Sequence, residues 1–93
     1  MDILQRVKTA KRISHNKLDE EINDLIEACK LDLDRLGIKK SLIENPDAQI
    51  RQAIVLYCLS NLSDDINFNK AYGESYQYQV DSLRKTRKYT EDV

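Results

Sequence analysis

The sequence has two glycines and one proline, which leaves few residues to punctuate the strands and tight turns of a β-rich fold. It has no glycine-rich phosphate loop. Its single histidine, His15, lies in a polar stretch between Ser14 and Asn16. A catalytic base needs an orienting partner and a nucleophile needs an oxyanion site; the sequence supplies neither here, so His15 reads as a solvated loop residue. The two cysteines, Cys29 and Cys58, are far apart and in no metal-ligand spacing. Each falls inside an apolar helical stretch and reads as a small core hydrophobe; a disulfide between them would need an oxidising compartment. No apolar run reaches the roughly 18 residues of a membrane span. The segment from Met1 to Arg12 carries charges where a signal peptide would be apolar. No membrane association is expected, and the chain is expected to be cytosolic when made. A net charge of -1 lacks the electrostatic footprint of a strong nucleic-acid binder.

What is present is helical periodicity. Leu18, Ile22, Leu25, Ile26, Cys29, Leu33 and Leu36 recur at steps of three and four, the stripe of a two-sided helix. Asn16 is placed to cap it, Asp19, Glu20 and Glu21 put negative charge in its first turn, and Gly37 follows its end as a left-handed stop. That predicts a helix over 17–36. Asn45, Pro46 and Asp47 read as cap, first-turn proline and early acid of a second helix over 46–62, leaving 38–44 as a loop. In that second helix Ala53 to Leu59 is apolar around nearly its whole circumference, so it should be the central element. After a polar break at 63–67, Phe68, Tyr72, Tyr76, Val80 and Leu83 predict a last helix over 68–88, weakened at Gly73, which should mark a close helix contact or a frayed place. Ile3, Leu4, Val7 and Ala10 mark a short opening helix.

The expectation is therefore an all-α single domain over 1–93, a compact bundle of three main helices with a short N-terminal one. Its core is expected to hold Ile22, Leu25, Ile26, Cys29, Leu33, Ile50, Ile54, Tyr57 and Cys58. At 93 residues such a core is thin, and partners are plausible on stability grounds alone.

Charge is segregated. Arg6, Lys8, Lys11, Arg12 and Lys17 make the opening segment basic, Asp19 to Glu27 is acidic, and Arg84, Lys85, Arg87 and Lys88 make the end basic again. Glu20, Asp24 and Glu27 share a helix face and in principle suit acid–base pairing or a hard cation; the plainer reading is a solvated acidic face. No catalytic, cofactor or metal residues are assigned. Opposite charge on different surfaces suits head-to-tail association of identical subunits, against ordinary surface charge with no partner. The contact residues expected on that basis are Ile3, Leu4, Arg6, Val7 and Arg12 of the opening segment and Asp19, Glu20, Asp24 and Glu27 of the acidic run. Lys8 is assigned to the outer face. Tyr76 and Tyr78 cannot both hide on one helix face, so one of the two should be exposed, and Tyr78 joins the contact set.

The run beginning at Leu4, LQRVKTAKRISHNKLDEEINDLIEACKLDLDRLGI, resembles the N-terminal half of the small helical head-tail connector proteins of long-tailed bacteriophages and prophages: a short helix, an Ile-Ser turn, an acidic-start amphipathic helix and a glycine stop. The run NPDAQIRQAIVLYCLSNL is similar to the family's turn followed by a helix of the type IKQAIILYVKANFG. The run SYQYQVDSLRKTRKY resembles its closing helix loosely. The resemblance implies a non-enzymatic structural protein, without cofactor, at the virion head–tail junction, assembled in the host cytoplasm. It implies a head-to-tail ring of about twelve copies under the portal protein, prolonging the channel for passing DNA without sequence specificity and offering a surface to a stopper or tail-completion protein. A near-neutral or acidic channel lets DNA slide, whereas a basic one would hold it through phosphate contacts.

Two other classes remain open. A small helical DNA-binding regulator would read 38–45 as the turn of a helix-turn-helix, although that connection is long and the following helix is too apolar to face base edges. A soluble adaptor or inhibitor would bind one partner through the tyrosine-bearing last helix.

Overall fold

A computed structural model describes residues 2–62 and 66–90. They form five helices: α1 (Ile3–Ala10), α2 (Asp19–Arg35), α3 (Lys40–Glu44), α4 (Ala48–Leu62) and α5 (Ile66–Arg84), followed by a 3-10 turn at Arg87–Tyr89. Among the described residues there is no strand, only an isolated antiparallel bridge between Ile38 and Thr90. The chain is all-α, with five helices where the sequence reading has four.

α4 is the central element. It is packed by α1, α2 and α5 and buries Ile50, Ala53, Ile54, Val55, Cys58 and Leu59. A helix apolar on all sides is stable only with neighbours on all sides. α2 contributes Ile22, Ile26, Cys29 and Leu33 to the core, and α5 contributes Tyr76, Val80 and Leu83. Leu25 and Tyr57, assigned to the core from sequence, are half-buried at its edge. The molecule is elongated, 43 × 25 × 19 Å.

The helix ends show why the boundaries fall where they do. After α2, Gly37 adopts φ +94°. The Ile38 amide then donates to the Leu33 carbonyl at 3.1 Å and the Gly37 amide to Asp34 at 3.1 Å. This is a Schellman stop, with Leu33 and Ile38 meeting in the core. α1 ends the same way on Arg12, at φ 57°, with Ile13 bonded to Lys8 and Arg12 to Thr9. A non-glycine residue pays about 1–2 kcal/mol in that conformation.

Several expected boundaries are corrected. Asn16 does not cap α2: its side chain accepts from the Lys8 ammonium at 2.9 Å, and α2 starts at Asp19 behind Leu18 with no side-chain cap. Residues 38–44 are not all loop, since 40–44 form α3, with Asn45 as its C-cap. The cap of α4 accordingly moves to Asp47, whose carboxylate accepts from the Gln49 and Ile50 amides at 3.1 and 3.0 Å. α5 starts two residues early, at Ile66; the rest of the expected break, 63–65, lies outside the described residues. α5 also stops at Arg84 instead of Lys88. Continuing it would leave the Tyr89 ring in solvent; the 3-10 turn instead buries Tyr89 to 3% exposure. Phe68 is off the core, 59% exposed and stacked on Tyr72, because it lies at the tip of the α4–α5 hairpin. Gly73 is neither a close contact nor a break: α5 runs through it, and an added Cβ would meet nothing within 4 Å.

Candidate subunit interface

Four of the five residues expected to contact a neighbour from the opening segment are engaged within their own chain, because α1 lies along α2 and α4. Val7 is fully buried in the core and has no surface to offer another subunit. Ile3 and Leu4 are half-buried against that core, beside Ile26, Pro46 and Arg51. The Arg6 guanidinium donates to the Gln52 side-chain oxygen of α4 at 2.8 Å. Arg12 is exposed, beside exposed Lys17.

Lys8 is not on the outer face. It is 6% exposed, and its ammonium pairs with the Asp19 carboxylate at 2.9 Å and donates to Asn16. A buried ammonium is tolerated only when paired and hydrogen-bonded, which is what draws Asn16 away from capping α2. Asp19 is thereby tied down as well. Leu4, Val7 and Lys8 are spaced at i, i+3 and i+4, so the helical period already placed Lys8 on the inner face.

Glu20, Asp24 and Glu27 remain exposed on α2. At steps of four and three they form one stripe, which the next step continues to Leu31, 72% exposed. Tyr78 is 78% exposed whereas Tyr76 is buried. Four large hydrophobic side chains stand in solvent among the described residues: Leu31, Ile66, Phe68 and Tyr78.

The polar side chains that the fold does bring together hold helices to one another. The Tyr76 hydroxyl donates to Asp32 of α2 at 2.7 Å and accepts from the Cys29 thiol at 3.8 Å. Its ring meets Tyr57 edge-on, centroids 5.3 Å apart. Burial first, then the bond to Asp32, raises the Tyr76 hydroxyl well above its ordinary value. Burial pushes both the Cys29 and Cys58 thiols up to about 12, and both are free thiols in the interior, as their positions on core-facing stripes predict.

At the other end of α5, Asp47 collects three kinds of partner. It caps α4, accepts from the Tyr89 hydroxyl at 2.8 Å and pairs with the Lys88 ammonium at 3.2 Å, while the Lys39 amide donates to the Tyr89 carbonyl at 2.8 Å. Partial burial pushes the Asp47 carboxyl up, but the Ile50 amide, the Tyr89 hydroxyl and Lys88 outweigh it and hold it below the usual carboxylate range. Sequence reading missed this clip, because an aspartate 42 residues upstream of a tyrosine carries no local signal.

His15 is exposed, and its Nδ1 accepts from the Lys17 backbone amide at 3.2 Å. Among the described residues no group of three or more His, Cys, Asp or Glu is placed to hold a metal ion. None of their helices is long and apolar enough to cross a membrane.

Comparison with the curated proteins and with the solved structures gives no match. The family model described as phage connector protein matches residues 3–92, nearly the whole length of the chain, and the protein belongs to that family.

Proposed function

We propose that the protein is a non-enzymatic structural component of the virion that forms a head-to-tail ring at the portal vertex. There it extends the DNA channel and joins the DNA-filled head to a stopper or tail-completion protein. The observation that carries this reading is the phage connector match over residues 3–92. Surface chemistry supports association between copies. The stripe Glu20, Asp24, Glu27 on α2 is exposed, as are the basic residues Arg12 and Lys17 on the connection before it. A ring needs two different surfaces on each subunit that fit each other. DNA passes such a channel without sequence-specific contacts.

The helix that a DNA-binding regulator would place in the major groove is α4, and α4 is buried between its neighbours. That observation disfavours the regulator reading.

The test is genetic and biochemical together. Removing the gene from the phage that carries it should leave heads that package DNA but acquire no tails, with wild-type protein supplied in trans restoring them. Purified protein mixed with portal rings should co-sediment as a ring of defined mass. Normal tailed particles without the protein, or protein that never associates with portal, would overturn the proposal. Glu20→Lys with Asp24→Lys should reduce completion while leaving the helical circular dichroism unchanged.

A further inference from the structure

We infer that Arg12 anchors the contact between subunits, its guanidinium taking the carboxylates of Glu20 and Asp24 on α2 of the next copy. The inference rests on the ring reading above and names the residues that build the contact. α1 and α2 end in the same kind of stop, and α2 uses Gly37 for it, at φ +94°. α1 uses Arg12, at φ 57°, where a Cβ crowds the backbone and glycine would sit without strain. The side chain gains nothing inside its own chain: Arg12 is exposed, and its guanidinium has no hydrogen bond or ion pair among the described residues. Strain kept at a surface residue with no local return points to a use outside the chain.

The strained position is firmly held. The Arg12 amide donates to the Thr9 carbonyl at 3.1 Å and the Ile13 amide to the Lys8 carbonyl at 2.8 Å, and Ile13 packs on the core. The Lys8 ammonium ties down the far side of the connection through Asn16 and Asp19, each at 2.9 Å. A cation mounted on a fixed backbone loses less conformational freedom on binding than one on a loose loop.

Glu20 and Asp24 carry a complementary cost. Both are exposed and stand one turn apart on α2, where like charges repel. Asp19 is met by Lys8 and Glu27 by Lys30, at 3.9 Å, but neither Glu20 nor Asp24 has a hydrogen bond or ion pair among the described residues. An arginine fork matches carboxylate oxygens with parallel bonds. Within one chain that match is not made, and every further copy brings both halves of it, so charge complementarity names a second copy as the partner. The two surfaces differ, so the contact is heterologous and repeats from copy to copy until the ring closes. Exposed ion pairs contribute little singly. Two free copies therefore associate weakly, and their high effective concentration on a portal ring favours the contact.

Arg12→Gly separates this role from a structural one, because the two predict opposite stabilities. Relief of the strain outweighs glycine's extra unfolded-state entropy, so the melting temperature should rise by about 2–5 °C. Binding to portal rings, read by co-sedimentation, should weaken by about fivefold. Arg12→Glu should abolish assembly on portal, and combining it with Glu20→Lys and Asp24→Lys in one chain should restore it, since the charges are then reversed together. A lower melting temperature for Arg12→Gly, or heads completed normally by it, would overturn this contact while leaving the connector reading in place. So would a triple variant no better than Arg12→Glu alone. Duplex-DNA binding lost in Arg12→Gly with assembly intact would give the guanidinium to phosphate and overturn the contact as well. Failure of wild-type protein to restore the deleted phage would instead overturn the connector reading.

Discussion

A thiol reacts as its thiolate, and burial pushes both Cys29 and Cys58 up to about 12. At pH 8 only about one thiol in ten thousand of that kind is ionised, and the ring of Tyr76 and the packing of α4 also stand in the way. A disulfide reagent should therefore label both cysteines slowly in native protein and within seconds in denaturant. Rapid native labelling of Cys29 would mean that α2 does not hold its stripe against α4. Lys8 makes the opposite point about charge. Its ammonium is buried against Asp19 and Asn16, so truncating it leaves two acceptors without their donor. Lys8→Ala should cost about 1–3 kcal/mol, the usual penalty for an unsatisfied buried partner. A surface lysine would cost nearly nothing, and an unchanged melting temperature would return Lys8 to the outer face.

Helices were legible where a local pattern decides them and illegible where a distant partner does. The stripe of α2, its Gly37 stop and the all-round apolar character of α4 follow from spacing, and each is where the sequence puts it. The end of α5 is not local: it stops at Arg84 because Tyr89 finds Asp47 and Lys39 on another part of the chain. The interface expectation failed at Val7 for a related reason, since an amphipathic eight-residue helix does not reveal whether its own domain or a neighbour covers it. Two element-scale tests follow. Gly73 lies in mid-helix with open space at its Cβ position, so Gly73→Ala should stabilise the protein by up to ~1 kcal/mol through backbone entropy. A lower melting temperature would show that α5 needs the glycine. The Asp47 clip gives a pH dependence. Its folded carboxyl is held below its ordinary value, so its contribution is fully present above the unfolded value near 3.8 and is lost as pH falls through the folded value. Wild type should lose more stability than Asp47→Asn as pH drops from about 5 to 2. Parallel losses in urea melts would remove the clip.

At the scale of the whole molecule, a net charge of -1 hides an acidic stripe on α2 and exposed basic ends, and four large apolar side chains among the described residues stand clear of the core. These two features respond to salt in opposite ways. Attraction between exposed charges is screened over about 10 Å at 0.1 M and about 3 Å at 1 M salt. Apolar contacts are not screened, and excluded salts such as sulfate strengthen them. If charge steers subunits together and apolar contacts hold them, 1 M sodium chloride should slow association several-fold yet leave assembled rings intact, and sodium sulfate should raise their mass fraction. Light scattering for the rate and sedimentation for the equilibrium read the two effects separately. Rings that dissolve in 1 M sodium chloride would mean that charge alone holds the subunits together and that apolar contacts contribute nothing to the interface.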